Sequence, residues 1–202
     1  MSLRVDHVLY AVTDLDAGAA RFEEDLGLDS IPGGPHPDWG TANRIVPLGP
    51  DYLELVGVVD RTKAEASLFG RLVLEAGDGL VGWSVGTDDL DRVARRLGLE
   101  IVRGKRRRPD GVRLTWRAAG IGEAMRSRGA LPFFIQWEGP GELHPGGDHQ
   151  APPGVTWVEV AAPPEQLQEW LGGAELPVRF AEQGEGITSA AIRDLVIVSG
   201  QA

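Results

Sequence analysis

Two side chains in this sequence stand where chemistry could be done. His7 lies in Asp6-His7-Val8-Leu9-Tyr10-Ala11-Val12, a run that is otherwise apolar apart from Asp6. Glu54 lies in Tyr52-Leu53-Glu54-Leu55-Val56. An imidazole and a carboxylate brought face to face can act as a general acid–base couple without a metal. Each residue also has a plainer reading. His7 could be a core histidine satisfied by hydrogen bonds. Glu54 could be a strand carboxylate turned to solvent, because Leu53 and Leu55 lie on the opposite face. A third cluster is His36-Pro37-Asp38-Trp39-Gly40-Thr41-Ala42-Asn43. Its Thr41 hydroxyl and Asn43 amide, beside His36, could orient a polar ligand, or could bond their own backbone in a turn.

The elements that would position these groups follow from patterning. Residues 5–12 predict a strand on which His7 shares a face with Val5, Leu9 and Ala11. Asp14 or Asp16 then caps a helix ending before Gly27, with Leu15, Ala19, Phe22 and Leu26 at helical spacing. The Gly- and Pro-rich stretch 31–40 predicts a loop. Residues 43–48 and 52–59 predict strands about Gly49-Pro50-Asp51. A second strand–helix phrase follows: Asp88-Asp89-Leu90-Asp91 aligns with Thr13-Asp14-Leu15-Asp16 at an offset of 75. That alignment places Gly82 opposite His7 and implies a duplicated module. Its strands are expected at 81–87, 100–103, 112–117 and 131–138, with helices over 89–97 and 61–76 and a short helix or loop at 119–128.

The basic run Arg103-Gly104-Lys105-Arg106-Arg107-Arg108 is expected as a solvated hairpin loop, or as a lid that draws an anionic ligand. Trp83, Trp116, Phe134 and Trp137 are expected in the core or in a ligand-binding wall. His144 and His149 fall in an aperiodic segment, 139–154; His144-Pro145 could fold back over the site, but a surface place is expected for both. Beyond it, 155–202 reads as a further strand, helix and strands with too few apolar faces for a core of its own.

The 202 residues include no cysteine, which removes disulfides, thiolate metal sites and a cysteine nucleophile. The net charge of −10 argues against general nucleic-acid binding. No run approaches the roughly 18 apolar residues of a membrane span, and the opening residues show no signal-peptide core, so a cytoplasmic protein is expected. There is no phosphate loop, zinc helix or nucleophile elbow.

Taken together, Asp6-His7-Val8, Gly33-Gly34-Pro35-His36, Gly40-Thr41-Ala42-Asn43, Tyr52-Leu53-Glu54-Leu55 and Pro132-Phe133-Phe134-Ile135-Gln136-Trp137 resemble the glyoxalase-like branch of the vicinal oxygen chelate superfamily. The resemblance implies an α+β fold. Two βαβββ modules, 4–60 and 80–138, would form a curved-sheet cup, followed by a linker at 139–154. A C-terminal partial βαββ module, 155–202, would pack on the first two. Metal-dependent members hold a divalent ion with four side chains, two per module. Transferred by position, those fall on His7, Glu54, Gln136 and Gly82, an incomplete set since Gly82 has no side chain. The implied activity is that of a lyase, isomerase or dioxygenase-like enzyme acting on a small molecule, with His7 and Glu54 as catalytic residues. His36, Thr41, Asn43, Trp83, Trp116, Gln136 and Trp137 would contact substrate. A divalent metal is the one cofactor implied. The alternative is a metal-free protein that binds or sequesters a small molecule. A monomer or homodimer, acting without nucleic acid or membrane, fits either reading.

Overall fold

The computed structural model describes residues 1–108, 110–147 and 150–199. The first module runs β1 (Leu3–Ala11), α1 (Leu15–Leu26), β2 (Ile31–His36), β3 (Thr41–Pro47) and β4 (Tyr52–Val58). Asp14 caps α1 by accepting from the Asp16 and Ala17 amides, and Gly27, at φ +64°, closes its other end. Two short helices, α2 (Arg61–Ala66) and α3 (Leu68–Ala76), link this module to the next. The sequence predicts one helix there. It breaks at Ser67, whose extended backbone ends α2 while its hydroxyl accepts from the Gly70 amide and starts α3.

The second module is β5 (Gly79–Thr87), α4 (Leu90–Leu97), β6 (Ile101–Arg107), β7 (Arg113–Ala119), α5 (Ile121–Arg126) and β8 (Phe133–Glu138). Both modules join one eight-stranded sheet in the order β2-β3-β4-β1-β5-β8-β7-β6. The central pair β1–β5 is antiparallel, and each of those strands has a parallel partner from its own module, β4 and β8. The outer strands β2 and β6 curl round until they meet: a Cβ on Gly34 would stand 3.2 Å from the Arg107 carbonyl oxygen. The sheet is therefore a nearly closed cup.

Two expected loops are strands. Residues 31–36 form β2 despite Pro32 and Pro35, because an edge strand bonds on one side only and tolerates missing donors. The basic run is not a solvated loop but the body of β6, paired residue by residue from Ile101↔Ala119 to Arg107↔Arg113. Charged residues are a usual covering for an edge strand.

Period-two alternation splits the sheet into two faces. Val8, Leu53, Leu55, Trp83, Val85 and Phe134 point outward into a core shared with α1, α4 and the C-terminal region. His7, Leu9, Glu54, Phe133, Ile135 and Trp137 point into the cup. A smaller apolar cluster, with Ala11, Val56, Phe69, Val73 and Val81, lies on the inner side against α3.

After a single 3-10 turn at Gly141–Leu143 come β9 (Val155–Ala161), α6 (Pro164–Leu171), β10 (Val178–Phe180), β11 (Gly186–Ile192) and β12 (Leu195–Val198). These strands make a separate sheet in the order β10-β9-β11-β12. The region has one strand more than the partial βαββ reading, because residues 187–198 turn back at Arg193-Asp194, with Arg193 at φ +54°. The sheet buries Val158, Val160, Ala190 and Ile192 in the core beneath β1 and β5. Asp51 ties the junction by accepting from the Gly154 and Val155 amides. Among the described residues, no helix is long and apolar enough to cross a membrane.

Candidate functional site

The cup holds a cavity whose empty space, mouth included, is about 560 Å³. Its walls are aromatic and aliphatic, with Trp39, Phe69, Trp116, Met125 and Phe133 among them. Four polar side chains from the first module, His7, His36, Asn43 and Glu54, enter from one side.

His7 is fixed from behind by its own neighbour. Side chains on consecutive strand residues normally face opposite ways, yet His7 Nδ1 lies 2.7 Å from Asp6 Oδ1. A β-bulge accounts for this. Val5 pairs with Val85 and His7 with Ser84, leaving Asp6 as an extra residue in β1. Asp6 is fully buried and accepts from two further donors, Trp137 Nε1 at 3.2 Å and His144 Nε2 at 3.0 Å. The Gly146 amide donates to His144 Nδ1, so the ring hydrogen of His144 sits on Nε2 and points at Asp6. Burial drives the Asp6 carboxyl upward, but hydrogen bonds from His144 and His7 and their electrostatic attraction outweigh it. Asp6 is held well below the usual carboxylate range and stays ionised. An ionised carboxylate only accepts, so the His7 hydrogen sits on Nδ1 and Nε2 faces the cavity.

His7 Nε2 looks toward Glu54 Oε2 at 3.6 Å. The other Glu54 oxygen accepts from Asn43 Nδ2 at 2.8 Å and lies 3.9 Å from His36 Nε2. The Tyr52 ring stacks on the His7 ring with centroids 4.5 Å apart. His36 is aligned by Thr41, with Nδ1 to Oγ1 at 3.0 Å, and packs edge-on to Trp39. Burial pushes the His36 imidazole down, with Glu54 opposing and Arg106 adding to the shift.

The structure thus brings together His7, Glu54, His36 and Asn43, with Trp116 and Trp137 in the wall. Thr41 supports His36 and does not line the cavity. Trp83 and Gln136 are not there. Trp83 is buried on the outer face, its indole N–H donating to the Gly129 carbonyl at 3.0 Å. Gln136 follows Ile135 and precedes Trp137, both of which point inward, so alternation turns it out. It accepts from Arg117 Nη2 at 2.7 Å and donates to the Asp88 carbonyl.

Strand register explains the misplacement. The parallel pair β1–β4 matches His7 with Tyr52 and Leu9 with Glu54, while β5–β8 matches Ser84 with Phe133 and Gly86 with Ile135. The counterpart of His7 is therefore Ser84, not Gly82, and that of Glu54 is Ile135, not Gln136. Seven positions separate His7 from the cap Asp14, but five separate Ser84 from the cap Asp89, so the offset of 75 from the helix caps does not hold in the strands. Of the three side chains implied for a divalent ion, His7 and Glu54 line the cavity and Gln136 does not. The second module presents a hydroxyl and a hydrocarbon at the matching places, and a guanidinium, Arg106, shares the cavity. Among the described residues, no three histidine or acidic side chains are grouped to hold a metal ion.

Three participants escaped the sequence reading. Asp6 was missed because a bulge breaks alternation, although two adjacent polar residues in an apolar strand are a signal for one. His144 is buried rather than at the surface, and nothing local in the sequence announces its long-range bond to Asp6. Arg106 lay hidden in a run of like charges. His149 lies outside the described residues.

The family model for a glyoxalase-like domain matches residues 5–176. The chain belongs to the glyoxalase-like domain family. Among solved structures, a Staphylococcus aureus protein described as hypothetical shares this glyoxalase-like fold at TM-score 0.70 and 17% identity, over 96% of this chain and 98% of that one. Methylmalonyl-CoA epimerase from Mycobacterium tuberculosis matches at TM-score 0.49 and 22% identity, over 68% of this chain and 88% of that one. The Streptomyces coelicolor epimerase matches at TM-score 0.49 and 24% identity, over 69% and 100%. At 17% identity the likeness to the Staphylococcus aureus protein speaks to the fold alone. No curated protein matches the sequence.

Proposed function

We propose that this glyoxalase-like protein binds a small organic molecule in the cup and moves a proton on it with His7 and Glu54. The observation that carries this is the buried chain Asp6···His7···Glu54. Asp6 holds Nδ1–H, leaving His7 Nε2 beside a carboxylate inside an apolar-walled cavity. An imidazole whose far nitrogen is anchored by a carboxylate is oriented to accept a proton from a bound carbon acid or hydroxyl. Glu54, steered by Asn43, is placed to give or take a proton on the neighbouring atom of the same ligand. The reaction class is a proton-shift isomerisation or a lyase step that begins with proton abstraction. The donor set supports no step through a metal, because the second module brings Ser84 and Ile135 to the positions where ligands would be needed.

Sequestration is the second reading, favoured by the aromatic walls. Proton exchange separates the two. In D₂O, a panel of small carbon acids such as 2-oxo acids and 2-hydroxy ketones is expected to lose C–H signal by proton NMR in the presence of protein. Glu54→Gln and His7→Gln should each slow that exchange by about 10²–10⁴-fold. Binding of panel members without any exchange by the wild-type protein would leave sequestration standing and remove the catalytic reading.

A further inference from the structure

One charged group in the cup has no counterpart. Arg106, on β6, is only 8% exposed and lines the same cavity as His7 and Glu54. Its Nη1 has no hydrogen-bond partner, and no ion pair or hydrogen bond of the side chain is found among the described residues. A guanidinium removed from water without a partner is costly, and buried arginines are nearly always paired. The surrounding architecture keeps it there. Gly104, two residues back on the same face, leaves room for the Trp116 ring, which a Cβ would strike. Gly33 on the facing edge strand leaves room for the Arg106 head: a Cβ there would stand 2.6 Å from Nη1 and would collide with Asn43 Oδ1. Asn43 Oδ1 is itself buried without a partner. Two unpaired polar atoms thus converge on a point that only glycine leaves open.

We propose that Arg106 is the receptor for a carboxylate on the ligand, so that the cup takes a small organic monoacid. The proposal rests on the reading that the cup is a ligand site and specifies what enters it. The local charge selects the class. Arg106 is a single cation in the lining and can pair one negative charge directly. A phosphate dianion would bring a second negative charge toward the Glu54 carboxyl group in the same lining. The planar fork of arginine suits the two oxygens of a carboxylate. Because Arg106 and the His7–Glu54 pair line one cavity, a ligand anchored at one end would present its neighbouring carbons to the other.

The test uses 2-methylpropanoate, its neutral isostere 2-methylpropanamide, and inorganic phosphate, titrated against the full-length protein. Fluorescence is the readout, since Trp39, Trp116 and Trp137 line the cavity. The carboxylate is expected to bind about tenfold or more tightly than the amide, and phosphate less tightly than the carboxylate. Arg106→Met should remove the carboxylate preference while leaving the amide unchanged. Lys105→Gln, an exposed charge on the same strand, should change neither. Gly33→Ala should weaken the carboxylate by displacing the Arg106 head. Ligand-free Arg106→Met should also melt a few degrees higher than wild type, since an unpaired buried charge has gone. A purely structural arginine would give the opposite shift.

Equal affinities for carboxylate and amide, an Arg106→Met variant that binds carboxylate like wild type, tighter phosphate binding, or no saturable carboxylate binding would each overturn the proposal. So would a lower melting point in Arg106→Met. The two readings fail separately. Carboxylate bound through Arg106 without C–H exchange removes the proton-transfer reading and keeps this one. Exchange that depends on Glu54 but ignores Arg106 does the reverse.

Discussion

Replacing Asp6 with alanine is expected to lower stability by about 3–5 kcal/mol, the range for removing one partner from a buried charged network. The size follows from what is left behind. The Asp6 carboxylate accepts from His7 Nδ1, His144 Nε2 and Trp137 Nε1, all inside the protein. An alanine strands all three donors, and each unsatisfied buried group costs roughly 1–3 kcal/mol. His7 can recover part of this by moving its hydrogen to Nε2. His144 cannot, because the Gly146 amide already points at its Nδ1. In a chain of this length the melting temperature should fall by roughly 6–20 °C. A loss below about 1 kcal/mol in urea unfolding would mean that Asp6 does not answer the three buried donors.

The same variant isolates a pH effect whose sign is fixed. Because the folded Asp6 carboxyl is held below its usual range, its stabilisation is fully present above the unfolded value of about 3.9. It is lost as pH falls through the lower, folded value. Asp51 contributes with the opposite sign. Burial raises it, against the pull of the Val155 and Gly154 amides, so protonation between that raised value and about 3.9 favours the folded state. Other acid-sensitive carboxylates remain in both proteins. Asp6→Ala should therefore lose less stability than wild type on going below pH 4, and the difference between the two curves should shrink steadily with acid.

What the sequence made legible was local. Cap residues marked the ends of α1 and α4, short apolar runs marked β1 and β4, and the repeated Asp-Leu-Asp phrase marked the duplication. His7 and Glu54 were reachable through the family resemblance, which matches both on first-module strands. The second half of the cup was not. Its register depends on how β5 pairs with β1 and β8, and the two residues fewer between Ser84 and Asp89 move every inferred counterpart. A slip of one residue along β8 exchanges Gln136 for Ile135 or Trp137, which reverses polar and apolar lining. Arg106 was obscured for a related reason. A run of five basic residues in six looks like a solvated turn until the strand fixes which of them faces inward.

The polar and apolar parts of the cup also obey different rules. Its walls are satisfied by packing, as with Trp116 against Trp137 at 5.3 Å between centroids. Its polar side is satisfied behind His7 by Asp6 and left open at Arg106 Nη1 and Asn43 Oδ1, both in side chains that line the cavity. Functional sites are where a fold tolerates such unsatisfied groups, because a ligand can complete them. The contrast between an anchored His7 and an unanswered Arg106 divides the cavity into a proton-handling end and a charge-recognising end.

Asp6→Asn should keep the fold and lose the chemistry. The amide is close to the carboxylate in shape but offers one acceptor oxygen and one donor nitrogen. His144 must present Nε2–H, and the Trp137 indole can only donate, so the Asn oxygen is expected to turn to them. The amide nitrogen then faces His7 Nδ1 and donates to it. His7 must carry its hydrogen on Nε2, pointing at Glu54 and the cavity. The nitrogen proposed to accept a proton is blocked without any change at His7 or Glu54 themselves. Proton exchange on a bound carbon acid should fall by roughly 10²–10⁴-fold, as expected when a catalytic imidazole is held in the wrong tautomer. Nitrogen-15 NMR of the histidine ring gives a reading independent of any substrate. In the wild-type protein Nδ1 should appear protonated and Nε2 bare, and in Asp6→Asn the two should exchange. If the tautomer stays put, or if Asp6→Asn exchanges within about threefold of wild type, then Asp6 does not set the state of His7 and the proton-transfer reading loses its anchor.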